Sequence, residues 1–156
     1  MFSQTIEYAL RAVVALASGD GSPMTTKEIA RTMKIPQSYL SKVLQALVRA
    51  GVVSSTRGLK GGFVLVRPAQ ELSMLQVMEA VSPIQRIETC PLDLASHSAT
   101  LCPLHRRLDQ AMAQVQEAFG RTTLAEVISE ENPCPILQAQ LSALKGGRPG
   151  PPQNLA

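Results

Sequence analysis

Residues Ser54 to Val66 read SSTRGLKGGFVLV, two short runs of strand-forming residues joined by a basic, glycine-rich turn. Directly before them lie two segments with apolar residues at helical spacing, Thr26–Met33 and Gln37–Ala50. Two short helices joined by a tight turn and followed by a two-stranded ribbon make a winged helix-turn-helix. That pattern sets the expected fold class, mainly α with one small hairpin, and every other segment has to be placed around it.

The same periodicity supplies the surrounding helices. Ile6, Ala9, Leu10, Val13, Val14 and Ala17 predict an amphipathic helix over Phe2–Ser18, ended by the turn Gly19–Asp20–Gly21–Ser22–Pro23. Thr25 or Thr26 caps the second helix, with Glu28 in its first turn and Ile29, Ala30 and Met33 facing inward. Pro36 suits the start of the third, whose apolar stripe is Leu40, Val43, Leu44, Leu47 and Val48, and Gly51 stops it. Beyond the hairpin, Ser73 caps a helix through Leu75, Val77, Met78 and Val81 that should pack back on the first, with Pro83 at its end. Thr122 or Thr123 caps a short helix carrying Leu124, Val127 and Ile128.

The outer face of the third helix is Gln37, Ser38, Tyr39, Ser41, Lys42, Gln45 and Arg49. A polar helix face is ordinarily no more than a solvated one, but the hairpin behind it changes the reading. A plain turn explains the glycines and leaves the neighbouring cations unexplained. Arg57 sits where a wing tip enters a minor groove, Lys60 can neutralise a phosphate, and Gly58, Gly61 and Gly62 allow positive φ and close approach of backbone to DNA. Gln37, Ser38, Tyr39 and Lys42 are the candidates for base edges, because the start of the second helix of such a pair reaches into the major groove. Charge agrees: residues 1–80 carry nine Lys/Arg against five Asp/Glu, the remainder six against seven. With no tryptophan and only 3% aromatics the chain is poorly equipped to stack single-stranded bases, so duplex DNA is the expected partner.

Further on, Leu104, Leu108, Ala111, Val115 and Ala118 recur at alternating spacings of four and three. So narrow a seam wants a partner helix, and the same helix of a second subunit supplies one. A homodimer would place two recognition helices about 34 Å apart, matching a palindromic operator. The expected organisation is a DNA-binding domain over 1–82, a loop over 83–102, dimerisation and C-terminal helices over 103–144, and a Gly/Pro-rich disordered tail over 145–156. No apolar run approaches the ~18 residues of a membrane span, and Glu7 and Arg11 interrupt the first apolar stretch, so a cytoplasmic protein without membrane contact is expected.

Cys90, His97, Cys102 and His105 fall within sixteen positions of a chain that holds only three cysteines and two histidines. The cysteines are too far apart for a knuckle, while Cys102 and His105 share one helix face. Metal binding, with zinc as one choice, and thiol oxidation are the chemistries that such residues support, against a bland reading of two ordinary thiols and two surface histidines. A disulfide would need Cα atoms closer than about 7 Å. A Cys102–His105 nucleophile and base is the enzymatic reading. It lacks an orienting third group and a substrate pocket and leaves the wing unexplained, so the chain is not expected to be an enzyme.

The opening TIEYALRAVVALA, the stretch KEIARTMKIPQSYLSKVLQALVRAGVVSSTRGLKGGFVL and the later LCPLH followed by TTLAEV together resemble the bacterial winged-helix regulators typified by IscR, NsrR and CymR. The resemblance spans about residues 1–130. It implies a homodimer that binds a palindromic promoter element, usually as a repressor, with the long helix after the loop as interface and the loop as sensor. In cluster-binding members of that family three loop cysteines hold an iron–sulfur cluster, with a fourth ligand from a later histidine or from a carboxylate on the first helix. Cys90 and Cys102 match the first and last cysteines, His105 the histidine and Glu7 the carboxylate. Where the middle cysteine belongs, this chain reads Ala95–Ser96–His97–Ser98.

Two thiolates suit a [2Fe–2S] cluster of mixed ligation better than a four-iron one. The resemblance therefore implies Cys90, Cys102, His105 and Glu7 as ligands, with His97 and Cys134 as substitutes. The alternative is a cluster-free regulator controlled by thiol oxidation, zinc, or a small-molecule or protein partner.

Overall fold

The computed structural model describes residues 2–58, 61–89 and 101–130. Six α-helices and one hairpin occur among them: α1 Gln4–Ser18, α2 Thr26–Met33, α3 Gln37–Arg49, β1 Val53–Thr56, β2 Gly62–Leu65, a single 3-10 turn at Ala69–Glu71, α4 Met74–Val81, α5 Pro103–Arg121 and α6 Leu124–Ser129. The arrangement is the mainly helical winged helix-turn-helix expected from the sequence.

Local chemistry fixes the helix starts. Ser3 caps α1 through a bond from the Ile6 amide. Thr25, Ser73 and Thr123 each form a capping box, with Glu28, Gln76 and Glu126 respectively reaching back to the cap amide. These are Ser/Thr-x-x-Glu/Gln patterns in which two orphan amides are satisfied reciprocally. The turn between α2 and α3 is made by Lys34 in the left-handed region (φ 52°, ψ 48°), its amide bonded to the Ala30 carbonyl. The next residue, Ile35, sends its amide to the same carbonyl at 2.9 Å and buries its side chain. One non-glycine residue in that conformation thus sets the angle between the two helices of the pair.

β1 and β2 pair antiparallel in the register Val53↔Leu65 to Thr56↔Gly62. Met24 adds a rung on the far side of β2: its amide and carbonyl exchange bonds with Phe63 at 3.1 and 2.8 Å. The wing is thereby tied to the segment that leads into α2. Gly51 (φ +70°) ends α3, and Gly58 (φ +115°) bends the wing.

α1 lies at the centre, packed against α2, α3, α4 and α6. The core joins Val13 of α1, Ile29 of α2, Leu40, Leu44 and Leu47 of α3, Val53 of β1, Leu72 and Val77, all essentially inaccessible. Each such side chain contributes about 1.5–3 kcal/mol by leaving water. Leu124 of α6 is equally buried in this cluster. Its amide bonds to Leu72 O at 2.9 Å while the Met74 amide bonds to Thr122 O at 2.9 Å, so α6 returns from the far end of α5 to complete the core under the winged helix. By contrast α5 has no buried residue.

Candidate nucleic-acid interface and sensor segment

The start of α3 presents Gln37, Ser38 and Tyr39, with Lys42 one turn later, and all four are exposed. Behind them Leu40, Val43, Leu44 and Leu47 anchor the helix, so its polar face is held rigid on the core. Pro36, the N-cap of α3, offers no side-chain acceptor, whereas the caps of α1, α2, α4 and α6 all do. No side-chain cap therefore serves the first amides of α3, and the Tyr39 amide turns back to the Pro36 carbonyl at 3.1 Å.

Arg57 follows β1 directly and is exposed, at the outer end of the wing. Of the three wing glycines only Gly58 takes positive φ. Gly61 and Gly62 do not take the positive φ expected of them, and the room they leave is used by the wing itself. A Cβ on Gly61 would lie 2.4 Å from Thr56 O, and one on Gly62 would lie 2.7 Å from the Met24 backbone. The Gly61 amide donates to Gly58 O at 2.9 Å, closing the turn. Both glycines are thus required by the wing's own folding. Lys60 lies outside the described residues.

Tyr39 is not a free side chain. Its hydroxyl shares a 2.9 Å hydrogen bond with the Thr5 hydroxyl of α1, and its ring meets the Tyr8 ring edge-on, centroids 5.4 Å apart at 79°. The Arg11 guanidinium lies 6.0 Å from the Tyr8 ring centroid and is ion-paired with Glu7. Sequence reasoning missed these partners, because α1 and α3 are distant in the chain and only the folded core brings them together.

Of the expected metal ligands, Glu7, Cys102 and His105 can be placed, while Cys90, His97 and Cys134 lie outside the described residues. Cys102 is the N-cap of α5, with Pro103 at the first helical position. Its Sγ stands 3.2 Å from His105 Nδ1. Two donors on one tetrahedral metal, at about 2.3 Å for sulfur and 2.0–2.1 Å for nitrogen, would be separated by about 3.6 Å, so a small side-chain adjustment suffices. The pair fits half of a metal site. Among the described residues no group of three or more His, Cys, Asp and Glu side chains converges to complete one. Glu7 is held by Arg11, its neighbour one turn along α1.

The segment that runs from α4 toward the loop is latched to α5. Arg86 Nε and Nη2 donate to Asp109 Oδ1 and Oδ2, both at 2.6 Å, and the Ile87 amide adds a third bond to Oδ1 at 3.0 Å. Gln116 Nε2 donates to Ile84 O at 3.2 Å. Along the seam of α5, Leu104 is 64% and Leu108 46% exposed, and Ala111 and Ala118 are also exposed. Among the described residues, then, the seam read from the sequence is left largely uncovered, with Val115 half-buried. No helix among the described residues is long and apolar enough to cross a membrane.

The comparisons agree with this geometry. The Rrf2 family, described as iron-dependent transcriptional regulators, matches residues 2–130. A chain of Aquifex aeolicus assigned as an HTH-type transcriptional regulator is 31% identical over 134 residues, covering 84% of this chain and 93% of that one. Among solved structures, CymR (YrzC), the global cysteine regulator of B. subtilis, superposes with a TM-score of 0.70 at 26% identity, over 85% of this chain and 98% of the other. IscR of T. potens shares the fold with a TM-score of 0.69 at 21% identity, over 85% and 88% of the two chains. These relatives are regulators and not enzymes. A winged helix with an exposed polar face on α3 and a match over residues 2–130 places the chain in the Rrf2 family of DNA-binding transcriptional regulators.

Proposed function

We propose that this regulator binds a palindromic promoter element as a cytoplasmic homodimer and represses transcription. One observation carries the reading: the seam Leu104–Leu108–Ala111–Val115–Ala118 stands largely exposed among the described residues, on a helix that packs against α4. A symmetric pair of such helices buries both seams and sets two α3 helices on one face of a duplex. Gln37, Ser38, Tyr39 and Lys42 read base edges, while Arg57, Lys60 and the wing backbone at Gly58, Gly61 and Gly62 fix the register on phosphates and the minor groove.

Control lies in the loop ahead of α5. Cys102 and His105, with Cys90 and the partner protomer's α1 carboxylate equivalent to Glu7, would hold a [2Fe–2S] cluster, His97 or Cys134 standing in where needed. When bound, such a cluster supplies a redox-sensitive tie between loop and dimer helix. The protein's own part is to present the Cys102–His105 pair at the head of α5 and to latch the other end of the loop through Arg86. Loss of the tie would release the loop and shift how the dimer helices hold the winged domains. Cluster-free control is the second reading. It is favoured by the CymR likeness, since a structure of S. aureus CymR in an oxidized form shares this fold with a TM-score of 0.65. Zinc would use the same donors without redox change.

Two measurements test these proposals. Selection from a random duplex pool should enrich an inverted repeat with half-sites one helical turn apart; enrichment of a single half-site would overturn the dimer. Anaerobic purification should give a brown protein whose iron, sulfide and visible absorption disappear on Cys102→Ser substitution. A colourless protein without iron would remove the cluster and leave thiol, zinc or effector control.

A further inference from the structure

The contacts around Tyr39 join the recognition helix to a helix outside the helix-turn-helix. Tyr39 occupies the first turn of α3, the end that enters a groove, and its side chain is 40% exposed. A half-exposed tyrosine on a helix start would otherwise sample several rotamers. Here two residues of α1 restrict it, the Thr5 hydroxyl at 2.9 Å and the Tyr8 ring edge-on at 5.4 Å, and Arg11 stands 6.0 Å from the centroid of Tyr8 in turn. Thr5 and Tyr8 are three residues apart and so lie on one face of α1. The hydrogen bond uses one of the two roles a phenol offers and leaves its remaining lone pair or proton in a defined direction.

We propose that Thr5 and Tyr8 are positioning residues for sequence-specific DNA recognition, holding the Tyr39 side chain in its groove-reading conformation before DNA arrives. The inference rests on α3 being the recognition helix and adds α1 to the specificity apparatus. Ordering one rotamer-rich side chain in advance spares the complex a cost that corresponds to about three- to tenfold in affinity. The advantage applies where Tyr39 meets base edges and vanishes on duplexes bound through phosphates alone.

The test compares wild type, Thr5→Val, Thr5→Ser, Tyr39→Phe and the Thr5→Val/Tyr39→Phe double variant. Each is titrated, across a salt series, against the duplex enriched from a random pool by wild type and against a scrambled duplex. Thr5→Val keeps the side chain's shape and removes the hydroxyl. It should weaken the enriched duplex roughly three- to tenfold, leaving the scrambled duplex, the salt slope and the thermal midpoint unchanged, while Thr5→Ser should restore affinity. In the Tyr39→Phe background the Thr5→Val change should cost nothing further. Equal losses on both duplexes, or additive losses in the double variant, would overturn the positioning role. A Tyr39→Ala variant that keeps full preference for the enriched duplex would overturn the assignment of Tyr39 to base recognition, and a pool that enriches nothing would overturn that of α3; the inference falls with either.

Discussion

Arg86 and Asp109 meet side by side, two parallel N–H to oxygen bonds of 2.6 Å each, and tie the chain leaving α4 to the second turn of α5. Planar fork-to-fork pairing of this kind fixes orientation as well as distance. It anchors one side of the loop to the helix whose head carries Cys102 and His105.

The Arg86 guanidinium, helped by the Ile87 amide, holds the Asp109 carboxyl below the usual carboxylate range against the opposing effect of burial. A depressed carboxylate pKa gives a stabilisation that is complete above the unfolded value, about 3.9, and is lost as pH falls through the lower folded value. The latch should therefore be of constant strength from about pH 5 to 8 and loosen only in more acid solution. Amide exchange at Ile87 measures it. Protection should persist in wild type throughout that range and be lost in Asp109→Ala, which removes both acceptor oxygens; a wild-type protection that changes between pH 5 and 8 would falsify this account.

The wing supplies a second prediction. Gly62→Ala would drive a methyl to 2.7 Å from the carbonyl carbon and oxygen of Met24, and backbone cannot swing aside as a side chain can. Restoring contact distance means breaking the Met24–Phe63 rung, at a cost of roughly 1–3 kcal/mol. Gly120→Ala is the control, since its Cβ would meet only Leu75 Cδ2 at 3.5 Å within a helix. That substitution should stabilise by about 0.5–1 kcal/mol. Chemical denaturation of the two variants should move in opposite directions.

Local features were legible in the chain wherever local chemistry decides them. Thr25 with Glu28, Ser73 with Gln76 and Thr123 with Glu126 announce three helix starts at fixed spacing, and Arg57 beside Gly58 marks the wing. What stayed hidden depends on groups far apart in sequence. The Thr5–Tyr39 bond spans 34 residues and the Arg86–Asp109 latch 23, and neither pair has a spacing that singles it out. The conformation of Lys34 was equally hidden, because left-handed residues are expected to be glycine or asparagine. That Gly61 and Gly62 lack the positive φ expected of them was hidden for a related reason. Composition shows that a glycine is present, and only the folded backbone shows whether it is there for its φ or for the room.

Leu124 yields a third prediction, because it sits beyond α5 in sequence yet has no exposed surface within the core that holds the winged helix. Leu124→Ala should cost about 2–5 kcal/mol. Because Leu124 bonds to Leu72 and packs with α1, α6 and the winged domain should unfold together, in one transition seen by far-UV signal and by a probe on the wing. Two separated transitions would mean that α6 is only an appendage.

The seam on α5 gives the last. Leu104 and Leu108 are 64% and 46% exposed in the single chain, so replacing both by glutamate, a good helix former, removes little from the protomer's own core. In a symmetric dimer the same change places four carboxylates in an apolar interface, where burial without partners costs several kcal/mol. The double variant should keep its helical signal and thermal midpoint at low concentration yet sediment as a monomer. Its affinity for an inverted-repeat duplex should fall steeply, and the dependence of that affinity on salt should drop to about half, because one winged domain neutralises about half the phosphates of two. A variant that still sediments as a dimer would move the interface elsewhere on the molecule, and the exposed leucines would then need a different partner.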